Sequence, residues 1–480
     1  MQFNSYSYVL LLVVAVALFW ALPERVRRGY VLALSILFYA SWNVAYLALP
    51  LGLALGAYFC AGRMLLVAIE ERRGLLRAGT AFVLLTLAFF KYQHFFFDNL
   101  NALLVNLGRS PAGTGLALAL PLGISFYSFE AISYLIDVRQ GRVKSLNFTD
   151  HYLFLMFWPH LMAGPIVRFR ELAPQLKFNR KFELAMFLRG MDRLVWGLVQ
   201  KNLLANNLGS FVDEGFLPRT AHANTMIDNW FLALAFGLQI YFDFAAYSNM
   251  AIGSAQLIGI TLPENFRFPY HAKNPSDFWS RWHMTLSRWI RDYLFFPINA
   301  KFRGAPGPLY LSLIGIMGLV GLWHGAGWGF ILWGLMHGVY LMLYRIWEKL
   351  GEEHPRLAQS KAAAWAIQAL TLAAVILAWI PFRAASPAQA LTMLRSALVG
   401  FSPRVSFSVN FYLITLLIAA FTAIEPLLSL LFERLQKAMA SRPGLETANL
   451  YLWRPLLYAC GLLLFLAFDD RDAKFIYFQF

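Results

Sequence analysis

Hydrophobic residues make up 59% of the 480 positions and charged residues 14%, against roughly 45–50% and about 25% in an ordinary soluble domain. That balance excludes a string of soluble domains and points to a chain that lives in lipid. The net charge of +15, from 41 Lys and Arg against 26 Asp and Glu, raises nucleic acid as a partner. The basic residues, however, cluster in short loops between apolar runs: Arg25, Arg27 and Arg28; Arg72, Arg73 and Arg77; Arg139, Arg142 and Lys144; and residues 168–181. This is the positive-inside pattern of a membrane protein, so the expected partner is the lipid bilayer and no nucleic acid. Cys60 and Cys460 both lie in apolar runs, which leaves no disulfide framework and no thiolate metal site.

Residues 4–22 read as a first span. No basic stretch and no small-residue cleavage site precede Pro23, so it is expected to be a retained helix. Gln2 rules out N-myristoylation. The Arg25, Arg27 and Arg28 loop places its far end in the cytoplasm and Met1 outside. Residues 30–39 and 47–67 form the next hairpin, 80–97 return, and 98–115 read as a polar external loop. Residues 116–135 enter with Pro121, Gly123 and Glu130. Residues 151–163 are short for a span and are broken by Pro159 and Gly164-Pro165, which predicts a re-entrant segment. Spans are then expected at 184–204, 226–260, 309–323, 328–344, 363–382, 411–432 and 452–468, with a polar loop at 349–361. The reading is an all-α polytopic integral membrane protein of about 10–12 transmembrane helices plus re-entrant and interfacial helices. It forms a single domain over 1–480, its core motifs at 116–345. No internal repeat of the kind found in many transporters is visible.

Residues 262–305 carry no lipid-grade run but are rich in Trp, Phe and Arg. Taken as one helix at about 100° per residue, 276–293 sort into three faces. Trp279, Trp282, Leu286, Trp289 and Tyr293 form the first; Ser280, His283, Ser287 and Arg291 the second. Asp277, Arg281, Arg288 and Asp292 form the third, with Asp277/Arg281 and Arg288/Asp292 as i,i+4 pairs. Such a helix is expected at the interface or along a wet cavity, with His283 presented inward. The competing reading is an interfacial amphipathic helix without chemistry.

Downstream, glycines recur at 321, 325 and 329 and again at 334 and 338. Small residues at this spacing let helix backbones approach closely. They predict a narrow, dry setting for Trp323 and His324, in which a neutral imidazole serves as a general base. The competing reading is a histidine bonded into a polar helix crossing. His337 fits that description and stays outside the site, as do His94, His151, His160, His222 and His354. No histidine pair has HExxH spacing, no carboxylate cluster completes a metal site, and neither a P-loop nor a GxSxG elbow occurs. Asp243 is an intramembrane carboxylate that needs a partner; with Gln239 and Asn249 it lines a polar tunnel or serves structural hydrogen bonding.

Eight motifs in order carry a resemblance across nearly the whole chain. They are 121–127 (PLGISFY), 163–168 (AGPIVR), 241–244 (YFDF), 262–266 (LPENF), 277–283 (DFWSRWH), 291–294 (RDYL), 321–325 (GLWHG) and 475–478 (FIYF). In these the chain resembles the membrane-bound O-acyltransferase (MBOAT) family, in its bacterial alginate O-acetyltransferase-like branch. The resemblance implies that His324 is the catalytic histidine and His283 the second active-site position. It implies a ring of helices around a thin centre, a tunnel where a cytoplasmic donor and an external acceptor meet. Trp323, Ser280, Arg281, Trp282, Ser287, Arg288, Arg291, Asp292, Asp243 and Asn265 become the supporting or substrate-binding positions. No tightly bound cofactor is expected; the donor is an acyl thioester such as acetyl-CoA. The acceptor is an exopolysaccharide of the alginate kind, reached directly or through a periplasmic acetyltransferase partner, with the chain in the bacterial inner membrane. Three positions depart from the family's usual residues: Glu130 for Gln, Ala245-Ala246 for Ser-Gly, and Asn249 for Asp. The competing functions are acyl transfer to peptidoglycan or teichoic acid, a transporter or flippase, and a scaffold subunit of a polysaccharide synthase.

Overall fold

The computed structural model describes residues 3–218, 224–302, 306–358, 360–400, 402–468 and 475–476. His222, Ala305, Tyr477 and Phe478 lie outside the described residues. Those described form helices and connecting turns, with no strand. In chain order the principal helices are α1 (Tyr6–Ala21), α2 (Glu24–Ala40), α3 (Ala48–Leu65), α4 (Arg72–Asn106), α5 (Ile124–Arg139), α6 (Phe148–Met156), α7 (Leu184–Val199), α8 (Asn206–Gly215) and α9 (Met226–Leu257). There follow α10 (Pro275–Arg281), α11 (Met284–Ile290), α12 (Pro306–His324), α13 (Trp328–Glu353), α14 (Lys361–Arg383), α15 (Pro387–Leu398), α16 (Val409–Ala440) and α17 (Arg454–Ala467). Eight helical segments among the described residues are long and apolar enough to cross a membrane, and α1 is a shorter apolar helix beside them. The protein is a multi-pass, all-α membrane protein. In α9, 83% of the apolar window is buried in protein, against 11% in the last span. An apolar sequence therefore serves packing against protein in one helix and leaves most of its surface uncovered by protein in the other.

The chain divides into two compact units, residues 1–194 with 248–263, and residues 195–247 with 264–480. In the first, α3 packs against α4, α5 and α6. Helix α5 starts at Gly123, whose φ of 73° and close approach to the Leu161 carbonyl leave no room for a Cβ. The expected re-entrant break is present as turns after α6. Buried Glu130 holds it, its Oε1 lying 3.0 Å from His160 Nδ1 and accepting from Val167 N–H at 3.4 Å. His160 thus has a structural partner. Tyr8 OH meets Ser254 Oγ at 2.8 Å, Trp20 Nε1 donates to the Leu257 carbonyl, and Arg193 donates to Asn249 Oδ1 at 2.7 Å. Asn249 therefore takes part in a structural hydrogen bond.

In the second unit, α12 and α13 form a tight hairpin through the turn at 325–327. A Cβ at Gly321 would fall 2.1 Å from the Phe330 carbonyl, and one at Gly334 2.1 Å from the Met317 carbonyl. The glycine spacing read from the sequence is therefore used for backbone approach. Helix α14 packs against α13, where a Cβ at Gly329 would meet the Pro381 carbonyl at 2.4 Å.

Several segment boundaries are corrected. Residues 98–106 continue α4 as helix rather than starting a loop, and the helix ends only just before Gly108, whose φ is 70°. Residues 116–123 are not helical; Pro121 and Gly123 end the extended stretch, and the helix starts only at Ile124. Residues 349–353 extend α13, and α15 was not anticipated.

One consequence is testable by stability. Gly334→Val should lower the melting temperature of the detergent-solubilised protein sharply, since forcing even a methylene into a packed core costs about 1–3 kcal/mol. Gly315→Ala in the neighbouring helix should be neutral, because nothing lies within 4 Å of its Cβ position. Equal behaviour of the two variants would refute the close-packing account.

Candidate active site

The expected continuous helix over 276–293 does not form. Helix α10 ends at Arg281, His283 takes a left-handed conformation (φ 42°, ψ 53°), and α11 starts at Met284. The cause is a neighbouring strand-like segment. Arg267 N–H donates to the Arg281 carbonyl and Met284 N–H to the Asn265 carbonyl, both at 2.9 Å, so backbone groups on either side of the break are claimed from outside the helix. The three-face sorting fails with it. Ser280 Oγ donates to the Asp277 carbonyl at 2.7 Å and Ser287 Oγ to the Trp282 carbonyl at 3.3 Å, so both hydroxyls serve their own backbone. After Ile290 the chain makes a π-helical turn, Arg291–Phe295, and Arg291 Nε reaches Asp292 Oδ1 at 3.0 Å. The Asp277/Arg281 pair does form, at 2.8 Å. Burial alone would raise the Asp277 carboxyl; the hydrogen bonds from Arg281 and from Lys273 N–H hold it below the ordinary range.

His283 is fully buried. Its Nδ1 lies 3.0 Å from Asn265 Oδ1, which also accepts from Thr285 Oγ1 at 2.8 Å and from Thr285 N–H at 3.4 Å. A backbone N–H can only donate, so this Asn265 atom is the oxygen. It follows that Nδ1 of His283 carries the proton and Nε2 presents a lone pair. Burial lowers the imidazole from its ordinary 6.5 to about 3, so the ring is neutral. Phe244 packs edge-on to it at 4.7 Å. Trp282 points away into an aromatic cluster, stacked on Phe278 and touching Phe266, Tyr241 and Trp379.

His324 is the last residue of α12 and is 5% exposed. Trp323, Trp333 and Phe382 surround it, with ring centroids at 5.0, 5.1 and 5.6 Å. The two histidine rings lie 6.3 Å apart, and Trp323 is 6.2 Å from His283. Sequence reasoning therefore named the two rings that meet, together with Asn265 and Trp323. It missed Thr285, Phe244, Trp333 and Phe382. Thr285 falls at a spacing visible in the sequence; Phe382 gives no local signal, since it arrives from α14.

Asp243 has its partner. Lys201 Nζ lies 2.6 Å from Oδ1, both side chains 2% exposed, and Ile476 N–H donates to Oδ2 at 2.8 Å. Lys201 sits in a π-helical turn, Gln200–Ala205, continuing α7. An intramembrane lysine preceding an intramembrane aspartate was a readable signal for this pair. Arg288 Nη2 donates to the Glu264 carbonyl at 3.4 Å. Among the described residues no group of His, Cys, Asp and Glu is placed to hold a metal ion.

Two buried imidazoles, His283 and His324, are thus brought side by side in a multi-pass helical membrane protein. A family model for membrane-bound O-acyltransferases matches residues 115–381, a stretch that contains both histidines. The chain is 38% identical over 352 residues to the probable alginate O-acetylase AlgI of Azotobacter vinelandii, covering 72% of this chain and 69% of that protein. It is 37% identical over 389 residues to the protein of that name in Pseudomonas aeruginosa, covering 80% and 72%. A peptidoglycan O-acetyltransferase of Helicobacter pylori is 36% identical over 389 residues, covering 75% and 72%. The chain belongs to the membrane-bound O-acyltransferase family, and it is a membrane O-acetyltransferase.

Two measurements bear on the site. Asn265→Leu removes the acceptor that fixes the His283 tautomer, and transferase activity should fall at least tenfold while the protein stays folded by gel filtration. Stability should also follow the His283 titration. The unfolded ring protonates near 6.5 and the folded ring near 3, so the unfolded chain binds more protons between these values. The stability due to a neutral His283 is fully present above pH 6.5 and is lost as the pH falls from 6.5 toward 3. His283→Gln should therefore show a shallower loss of melting temperature over that window than wild type; parallel curves would refute the assignment.

Proposed function

We propose that the chain moves an acetyl group from a cytoplasmic thioester, acetyl-CoA, toward the O-acetylation of an extracytoplasmic polysaccharide, alginate or a similar exopolysaccharide, in the bacterial inner membrane with its N-terminus outside. The observation that carries this reading is the pair of buried rings 6.3 Å apart on conformationally fixed backbone, in a chain similar to alginate O-acetylases. His324 is the general base. It takes the proton of the acceptor hydroxyl as that oxygen attacks the thioester carbonyl carbon; the tetrahedral intermediate collapses, the C–S bond breaks, and the leaving thiolate takes the proton back from His324. His283 orients the donor. Its Nε2 lone pair accepts a hydrogen bond, for which the amide N–H groups of the pantetheine arm are suited. The alternative role, donation to a developing oxyanion, is disfavoured because that nitrogen carries no proton in the neutral ring.

Trp323, Trp333 and Phe382 keep water from His324, which favours transfer over hydrolysis of the thioester. Arg281 and Arg291 each already face a carboxylate, so they serve structure first and steer the donor's phosphates only by their summed field. The acceptor is reached directly or through a periplasmic acetyltransferase partner. A second reading, the same chemistry directed to peptidoglycan, rests on the likeness to the Helicobacter pylori protein.

The test is acetyl-CoA turnover by the protein in nanodiscs, followed as free thiol release with oligosaccharide acceptors present. His324→Ala should reduce release by about 10²–10⁴-fold, the range expected for loss of a general base. His283→Ala should raise the KM for acetyl-CoA as well as lowering kcat. Release that is equal in wild type and both folded variants would refute the histidine mechanism.

A further inference from the structure

Away from the two histidines, the first unit holds a cavity of about 240 Å³ lined by Trp20, Arg180, Lys181, Met186, Phe187 and Gln256, with Glu183 and Gly259 at its edge. That is the volume of about eight waters at ~30 Å³ each. It lies where the end of α1, the end of α9 and the start of α7 come together. The first turns of α2, which hold Arg25, Arg27 and Arg28 in helix rather than in the loop expected from the sequence, adjoin it through Arg27.

The charge around this cavity is unbalanced. Arg27 is 8% exposed. Its guanidinium donates to the Leu22 and Arg180 carbonyls and lies over the rings of Phe19 and Trp20 at 5.1 and 5.0 Å. No carboxylate among the described residues pairs with it. Among the described residues the exposed Arg180 donates to the Gly259 carbonyl at 3.4 Å, and no carboxylate pairs with it or with the exposed Lys181. The one acid at the rim, Glu183, faces Arg189 at 3.9 Å. A buried cation without a counter-ion is costly. The site also holds a buried acceptor, the Gln256 side-chain oxygen, that meets no donor. Trp20 and Phe187 supply the amphipathic and apolar walls typical of headgroup depth in a bilayer.

We propose that this cavity binds the phosphodiester headgroup of a membrane glycerophospholipid. The phosphate sits against Arg180 and Lys181, balancing Arg27 behind them. A hydrogen-bond donor on the headgroup, the hydroxyl of glycerol or the ammonium of ethanolamine, meets Gln256. The acyl chains leave along Met186 and Phe187 into lipid. The site is independent of the acyl-transfer residues, so its failure and theirs are separable.

The experiment is native mass spectrometry of the delipidated full-length protein, titrated with phosphatidylglycerol, phosphatidylethanolamine, phosphatidylcholine and diacylglycerol. Wild type should hold the first two more tightly than phosphatidylcholine and should not retain diacylglycerol. Arg180→Gln/Lys181→Gln should weaken phosphatidylglycerol binding at least fivefold, whereas Arg73→Gln/Arg77→Gln, which removes the same charge from exposed positions elsewhere, should leave it unchanged. Arg180→Lys keeps the charge and should keep binding, so a folding defect in the double variant does not pass for loss of the site. Gln256→Leu should erase the preference over phosphatidylcholine. Equal loss in the two double variants would overturn the proposal. So would displacement of the lipid by millimolar inorganic phosphate, which would make the site one for soluble phosphate.

Discussion

A left-handed conformation costs an ordinary residue roughly 1–2 kcal/mol, and His283 holds one in the interior of the second unit. What offsets it is the segment just upstream. Asn265 and Arg267 exchange backbone hydrogen bonds with Met284 and Arg281, and the Asn265 side chain accepts from both His283 and Thr285. The strain and its compensation act on the same few atoms. The break turns α11 away from α10, separates Trp282 from His283, and leaves the imidazole fixed in position, tautomer and charge. An unbroken helix would have put His283 on a stripe with Ser280 and Ser287, neither of which contributes to the site. Observed backbone outliers of this kind concentrate where function needs a side chain held against its local preference.

The other half of the pair depends on a different constraint. His324 ends α12, and its position follows from how closely α13 can approach. Glycines at 321 and 334 each stand where a Cβ would strike a facing carbonyl. The hairpin they allow brings Trp333 perpendicular to His324, and α14, seated against Gly329, supplies Phe382. One imidazole is thus placed by hydrogen bonds around a kink and the other by backbone contact. The Lys201–Asp243 pair adds a third kind of support. Each charge is nearly inaccessible, and the Asp243 carboxylate also binds the backbone of Ile476. Because removing either partner of such a pair leaves a buried charge uncompensated, the aspartate one residue before Phe244 is tied firmly to Lys201 and to the backbone of Ile476.

Much of this was legible. Composition and loop charge give an all-helical membrane protein because lipid leaves the backbone few alternatives. The glycine recurrence shows the α12–α13 hairpin because close approach has only a few residue solutions. The two histidines stand out because polar groups at that depth are rare. The helix break was not legible. Nothing in Arg281-Trp282-His283-Met284 is a breaker, and helical periodicity persists across it; the competing hydrogen bonds come from residues 14 to 19 positions upstream, whose pairing is a tertiary event. Phe382 was hidden for the same reason. The continuation of α4 past residue 97 gives no signal in the sequence, because Asp98, Asn99 and Asn101 end the apolar run without ending the helix.

In the proposed mechanism the tautomer of His283 divides the labour between the rings. A neutral imidazole with Nδ1–H committed to Asn265 offers one acceptor and nothing to donate. If both rings were bases for one hydroxyl, they would compete for a single proton, and the hydroxyl would lose its alignment with the carbonyl. Assigning the donor to His283 and the acceptor hydroxyl to His324 removes that conflict. It also fits the surroundings, since the aromatic wall of Trp323, Trp333 and Phe382 closes on His324, the ring whose proton must be kept from water. Low polarity makes an unprotonated base more available at neutral pH and makes the same base a poor resting place for a proton. In the proposed mechanism the proton taken from the hydroxyl leaves with the thiolate, so each turnover returns His324 to the form in which it began.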